Sequence, residues 1–143
     1  MRENCVNIDF LSKSENEFLS RAFVGSFALL ADPTAAEVAD IKTAVSEAVT
    51  NAIVHGYKDT TGVIYISCRL FGDELTVSVK DNGKGIDDVK KAMEPLYTTS
   101  KDAERSGMGF TVMETFMDSV KVDSIVGVGT KITMTKRIGR NRI

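Results

Sequence analysis

Apolar residues recur along this chain with two periods, and the changes between the two predict its strands and helices. Alternation of apolar and polar residues predicts strands at 6–11, 63–71, 75–79, 120–126 and 130–135. Apolar residues three and four positions apart predict helices at 15–30, 34–56 and 108–119, and a weaker helix at 87–97. Thr34 and Glu37 form a capping box at the start of the second helix, and Gly56 is its natural stop.

The order of these elements predicts an α+β fold. We expect a two-layer sandwich in which a mixed, mostly antiparallel sheet is covered by helices on one face. The polar stretch 98–106 carries no apolar period, and we interpret it as a mobile loop. No repeat, low-complexity tract or linker divides the 143 residues, so a single domain spanning 1–143 is expected.

Charge and composition exclude several classes of protein. The formal net charge is −2, and the only basic cluster, at 136–142, is interpreted as a solvated end of the chain. This distribution offers no field for nucleic acid or for an anionic membrane. No apolar run approaches the roughly 20 residues that a membrane helix needs, so a cytoplasmic protein is expected. Cys5 and Cys68 lack metal-ligand spacing and are interpreted as reduced thiols.

A stripe of polar residues runs along the helix predicted at 34–56. Glu47, Asn51 and His55 recur every fourth residue, a spacing that keeps them on one helical face. Because burying an unpaired carboxylate costs on the order of several kcal/mol, the stripe faces either a cleft or solvent. In a cleft, the Asn51 amide oxygen suits one position around Mg²⁺, and Glu47 suits a general base. The alternative is a solvated helix edge. His55, at the helix end, is interpreted as a structural hydrogen-bonding group rather than a nucleophile.

Three pairs of glycines follow downstream, at Gly83/Gly85, Gly107/Gly109 and Gly127/Gly129. The first pair lets the backbone approach a ligand beside Asp81. The carboxylate of Asp81 would accept a hydrogen bond from the amino group of adenine. An ordinary turn explains this glycine pair equally well. The second pair is predicted at a helix start, where unpaired N–H groups favour phosphate. A hairpin turn explains the third pair fully.

Taken together and in order, these motifs resemble those of the GHKL family of ATP-binding domains, which includes gyrase, the heat-shock chaperone, histidine kinases and the mismatch-repair ATPase. Residues 47–52 are similar to its N box, and 81–86, 107–110 and 127–130 to its three glycine boxes. Within that family the chain is most similar to the anti-sigma F kinases of sporulation, through 45–57 and 104–111.

The resemblance implies a site for ATP or ADP with Mg²⁺. It implies Glu47 as the catalytic base, Asn51 as the metal ligand and Asp81 as the acceptor for adenine, with the phosphates under a lid at 98–109. The remaining nucleotide-binding residues that it implies are His55, Gly83, Gly85, Thr98, Thr99, Lys101, Arg105, Ser106, Gly107, Met108, Gly109 and Thr130.

The resemblance also implies an exchange of protein partners. In that scheme a homodimer holds a sporulation sigma factor while ATP is bound. It phosphorylates a serine on an anti-anti-sigma protein that would otherwise displace the sigma factor. Arg21 is similar to the partner-contacting arginine of the family, and an exposed surface arginine is the alternative. No direct contact with nucleic acid or membrane is expected.

Two other functions are weighed against this one. A histidine autokinase needs a phosphoacceptor histidine on a separate helical module, whereas the only histidine, His55, lies within the proposed nucleotide helix. A binding module that uses ATP only to set its conformation would need Asn51 but no base. The presence of Glu47 therefore favours the kinase.

Overall fold

Among the residues that the structure describes, five strands form one layer: β1 (Glu3–Leu11), β2 (Val63–Phe71), β3 (Glu74–Asp81), β4 (Ser119–Ile125) and β5 (Gly129–Arg137). They lie in the order β1-β2-β3-β5-β4, and every neighbouring pair is antiparallel. The structure is a computed structural model that describes residues 3–94 and 101–139, and only the backbone of 101–108.

Helices form the second layer. In the described part of the chain they are α1 (Ser14–Ala28) with a 3₁₀ turn (Leu29–Ala31), α2 (Ala35–Asn51) with a π-turn (Ala52–Gly56), α3 (Val89–Ala92) and α4 (Lys101–Phe116). The capping box of α2 forms as predicted. The N–H of Glu37 donates to Thr34 Oγ1 at 3.1 Å, and the N–H of Thr34 donates to Glu37 Oε1 at 2.8 Å. None of the helices in 3–94 or 101–139 is long and apolar enough to cross a membrane.

One face of the sheet is buried beneath the helices. In β2 the buried positions alternate with Tyr65 and Arg69, which are exposed. The same alternation continues in β3 and β5, so one row of side chains from each strand enters the core. The side chains at the centre of this core are Val24, Ile41, Val45, Val49, Ile64, Ile66, Leu70, Leu75, Val77, Phe110, Met113 and Met134. The prediction of an α+β sandwich covered on one face is confirmed.

Two predicted elements differ from the structure. Of the helix predicted at 87–97, only α3 forms within the described residues, and 95–97 lie outside them. The loop predicted at 98–106 is wrong from residue 101 onward, because α4 begins at Lys101. Residues 101–105 are mainly Lys, Ala, Glu and Arg, which favour helix by intrinsic propensity and need no apolar period.

Candidate functional site

Helix α2 ends in a turn that is wider than an α-helical turn. The N–H of Tyr57 donates to the carbonyl oxygen of Ala52, five residues earlier, at 2.9 Å and so closes the π-turn. Such turns are frequent at functional sites. The helical path stops at Gly56, as the sequence predicts, and His55 lies half-buried within the turn.

Asp81 lies at the end of β3 beneath this turn. Its side chain is buried, and Oδ1 accepts a hydrogen bond from the N–H of Gly83 at 2.9 Å. A Cβ atom at Gly56 would lie 2.8 Å from Oδ1 of Asp81, so only glycine leaves room for the carboxylate there. Sequence reasoning treats Gly56 only as a helix stop and misses this contact. No local signal distinguishes the two roles, because the partner is 25 positions away in the chain.

The buried position of Asp81 disfavours the charged form of its carboxyl group. Burial raises its pKa above the ordinary value, and hydrogen bonds from the backbone of Gly83 and Thr130 act in the opposite direction. Thr130 lies directly opposite Asp81 across the β3–β5 pair, which places this predicted site residue at the carboxylate. A ligand that donates a hydrogen bond to Asp81 would relieve the cost of burying its charge.

Neither glycine of the first pair leaves room for a side chain. A Cβ at Gly83 would lie 2.0 Å from the carbonyl oxygen of Gly56, and one at Gly85 would lie 2.4 Å from that of Ile125. Gly85 also has a φ of +77°, which favours glycine. Ser124, which sequence reasoning does not single out, accepts a hydrogen bond from the N–H of Ile86 at 2.8 Å. The turn after β3 is therefore held between the π-turn and the end of β4.

Glu47 and Asn51 face α4 together. A Cβ at Gly109 would lie 3.2 Å from Oε2 of Glu47 and 3.5 Å from either polar atom of the Asn51 amide. The Nδ2 atom of Asn51 is buried and has no hydrogen-bond partner among the described residues. Glu47 and Asn51 thus face the interface between two helices and do not lie on a fully solvated edge.

The second glycine pair is not at a helix start. Because α4 begins at Lys101, Gly107 and Gly109 lie in its interior, and the prediction that they begin a helix is wrong in this conformation. The predicted contacts of Thr98 and Thr99 lie outside the described residues, as do the side chains of Lys101, Arg105, Ser106 and Met108.

Comparison with known proteins places this geometry in a family. The family model described as "Histidine kinase-like ATPase domain" matches residues 13–136. The anti-sigma F factor of Caldanaerobacter subterraneus subsp. tengcongensis is 55% identical over 139 residues, which are 97% of each chain. That of Clostridium acetobutylicum is 57% identical over 137 residues, which are 96% of each chain. The chain belongs to the anti-sigma F factor family.

Solved structures support the fold of this anti-sigma F family member. A crystal structure of the RsbU and RsbW domains of a Mycobacterium tuberculosis protein matches with a TM-score of 0.69 and 23% identity, over 94% of this chain and 32% of that one. The histidine kinase domain of a blue-light activated kinase from Erythrobacter litoralis matches with a TM-score of 0.60 and 18% identity, over 87% and 62%. The GHKL resemblance is confirmed, and it makes the chain a nucleotide-binding domain.

Proposed function

We propose that this protein is an anti-sigma factor and an ATP-dependent serine kinase. One observation carries the proposal. Glu47 and Asn51 on α2 face Gly109 of α4, and the π-turn that continues α2 brings Gly56 against the buried carboxylate of Asp81. A single helical segment therefore joins an acceptor for a nucleotide base to a carboxylate and an amide suited to phosphoryl transfer.

Each of the three polar side chains has a role in this proposal. Asp81 accepts a hydrogen bond from the amino group of adenine, which would explain why a carboxylate is buried there. Asn51 holds Mg²⁺ through its amide oxygen, a neutral ligand of the kind that Mg²⁺ prefers. Glu47 accepts the proton of the attacking serine hydroxyl. Mg²⁺, when bound, would neutralise charge on the phosphates.

The other proposed contacts divide between the two ends of the site. His55, Gly83, Gly85 and Thr130 belong to the base end, since they lie on the π-turn, the turn after β3 and the start of β5. Gly109 belongs to the phosphate end, together with residues proposed from the family resemblance alone: Thr98, Thr99, Lys101, Arg105, Ser106, Gly107 and Met108.

The protein partners are proposed to bind at α1 and its 3₁₀ turn. Phe18, Leu19 and Leu29 are 59%, 60% and 62% exposed, which leaves a large apolar surface uncovered in the single chain. The guanidinium carbon of Arg21 lies 5.4 Å from the centroid of the Phe18 ring, within this surface. We propose that this single-domain, cytoplasmic protein pairs with a second copy of itself. The homodimer would then bind a sporulation sigma factor and an anti-anti-sigma protein.

Phosphorylation of the anti-anti-sigma protein would release it. A phosphoserine adds roughly −1.5 to −2 charges, enough to expel a docked protein from an interface that holds acids or has no spare cation. The sigma factor would then remain bound to the ATP form.

The proposal is tested with the purified protein, Mg-ATP and its cognate anti-anti-sigma protein. We expect mass spectrometry to detect a phosphoserine on the anti-anti-sigma protein. The kinase should retain the sigma factor when ATP is bound, and the unphosphorylated anti-anti-sigma protein should release it. A pull-down from lysate with ATP and then with ADP identifies which proteins exchange. Absence of nucleotide binding would refute the proposal.

A second candidate is an ATP-switched binding module without kinase activity. The position of α4 against Glu47 favours it, because a helix that covers the carboxylate keeps it from a protein substrate in this conformation. Nucleotide-dependent retention of the sigma factor without any transfer of phosphate would support this candidate over the kinase.

A further inference from the structure

Tyr57 connects three segments of the nucleotide site through its side chain. Its ring is buried beside Gly62, where a Cβ atom would come within 2.2 Å of the ring. Its hydroxyl donates a hydrogen bond to the carbonyl oxygen of Val63 at 2.6 Å and accepts one from the N–H of Asn82 at 2.7 Å. Both hydrogen-bonding functions of the hydroxyl are therefore used inside the protein.

The hydroxyl lies where β2 and β3 separate. Ile64 and Asp81 are the last paired residues of these strands, and the next pair would be Val63 and Asn82. The Tyr57 hydroxyl lies between the carbonyl of one and the N–H of the other. The turn after Asp81 thereby leaves the sheet at a fixed point while its first N–H stays hydrogen-bonded.

Three consecutive N–H groups of this turn have identified acceptors. The N–H of Asn82 donates to the Tyr57 hydroxyl, that of Gly83 to Oδ1 of Asp81 at 2.9 Å, and that of Lys84 to the carbonyl oxygen of Gly56 at 3.0 Å. Two of the three acceptors belong to the adjacent residues Gly56 and Tyr57. The end of the π-turn thus fixes the turn whose Gly83 N–H holds Oδ1 of the Asp81 carboxylate.

We infer that Tyr57 is a positioning residue that sets base selectivity, by holding the turn that aims the Asp81 carboxylate at the nucleotide base. The inference rests on the proposed role of Asp81 in binding adenine. Without the hydroxyl, the N–H of Asn82 and the carbonyl of Val63 lose their shared partner, and the turn relaxes around them. A carboxylate with a less defined direction discriminates less between an amino group and a carbonyl group on the base.

The test compares Tyr57→Phe with Tyr65→Phe in the full chain. Tyr65 is the matched control, because it lies on β2 with its side chain on the open face of the sheet, 40% exposed. Affinities for ATP and GTP are measured by calorimetry well below the melting temperature. For Tyr57→Phe we expect ATP affinity to fall about tenfold and the ATP-to-GTP preference to fall by a similar factor. Tyr65→Phe should match the wild type in both.

Preference is the deciding readout, because simple destabilisation lowers the folded fraction for both nucleotides equally. An unchanged ATP-to-GTP preference in Tyr57→Phe would overturn the inference. Asp81→Asn separates this failure from failure of the proposed site. If Asp81→Asn loses the preference while Tyr57→Phe keeps it, only the positioning role fails, and if neither loses it, the base-binding role of Asp81 fails as well.

A measurement on the unmodified protein guards against a variant that does not fold. The N–H of Asn82 should be protected from hydrogen exchange in the nucleotide-free protein, as expected for a donor with a fixed acceptor inside the protein. Exchange of that N–H at the rate of an unprotected amide would also overturn the inference.

Discussion

Asp81 illustrates, at the scale of one residue, how a group proposed to bind a ligand costs stability. Its carboxylate is buried and accepts hydrogen bonds from the backbone of Gly83 and Thr130, and burial raises its pKa. The folded nucleotide-free protein therefore holds this proton more tightly than the unfolded chain does, and the stability gained from that difference is lost as the pH rises through the raised pKa. A ligand that donates to the carboxylate would offset the cost.

Asp81→Asn should therefore stabilise the nucleotide-free protein at neutral pH while it weakens ATP binding. Asparagine can keep the hydrogen bond from Gly83 without a charge, and we expect a gain on the order of 1 kcal/mol in the free energy of unfolding. ATP affinity should fall by roughly 1.5 to 3 kcal/mol, the range for a hydrogen bond to a charged group. Urea unfolding and calorimetry measure the two effects.

The pH dependence checks the cause of this gain. The difference in unfolding free energy between Asp81→Asn and wild type should shrink as the pH is lowered and the wild-type carboxyl becomes protonated. A difference that stays constant between neutral and acidic pH would show that charge burial is not its origin.

Glu47 is the residue on which the proposed chemistry depends. Glu47→Gln, which keeps the shape of the side chain but not its basicity, should lower phosphoryl transfer by roughly 10²- to 10⁴-fold, the usual contribution of a general base. Affinity for Mg-ATP should stay near that of wild type, because a base acts chiefly in the transition state. Glu114→Ala, at an exposed position of α4, is the control for lost charge. Full phosphoryl transfer by Glu47→Gln would show that Glu47 is not the general base.

At the scale of elements, the π-turn determines what the end of α2 can contact. It carries Gly56 to the carboxylate of Asp81 and Tyr57 to the ends of β2 and β3. An ordinary α-helical end would direct the same residues elsewhere, since each residue shifts the direction of its side chain by about 100°. The base end of the site therefore depends on a local change of helical geometry.

Gly56→Ala tests this dependence. The added methyl group would lie 2.8 Å from a carboxylate oxygen that is held by Gly83, so the carboxylate must move. We expect ATP affinity to fall at least about tenfold, with the helical circular dichroism signal retained. Gly25→Ala is the control, because its methyl group would meet only the flexible end of Lys42, at 2.5 Å. Equal ATP affinity in the two variants would contradict the assigned contact.

The elements that the sequence predicts well are those with a buried face. The strands β2 and β3 and the helix α2 direct an apolar row toward the core, and that row appears directly in the residue pattern. The start of α4 is missed because residues 101–105 form helix without such a row. The π-turn is missed because it depends on which carbonyl accepts a single N–H, which no residue type specifies.

The site is predicted less completely than the fold. Glu47 and Asn51 are candidates because their spacing places them on one helical face, and the structure brings both against Gly109. The contacts of Gly56 and Tyr57 with the turn after β3 join residues that are distant in sequence, so a local pattern cannot reveal them. Ser124 is missed for the same reason.

At the scale of the whole molecule, Glu37 connects the end of β5 to the start of α2. Its Oε2 atom accepts a hydrogen bond from the N–H of Gly139 at 2.8 Å, while Oε1 serves the capping box. Glu37→Ala should lower the free energy of unfolding by roughly 1 to 3 kcal/mol, since a helix cap and a buried acceptor are lost together. Urea unfolding followed by circular dichroism measures the change.

Asp40→Ala is the matched control on the same helix. Asp40 is partly exposed and lies 4.0 Å from Nζ of Lys136, a contact expected to contribute less than about 1 kcal/mol. If both variants unfold at the same urea concentration, the connection through Glu37 does not stabilise the fold.

This connection also sets a limit on how far the chain can be shortened from its carboxyl terminus. Glu37 and Gly139 are 102 positions apart, so an ending placed before Gly139 would remove a donor from the first turn of the helix that carries Glu47 and Asn51. In a version trimmed for crystallisation, the first turn of α2 would consequently fray. A loss of nucleotide binding by that version would then be mistaken for damage to the binding site itself.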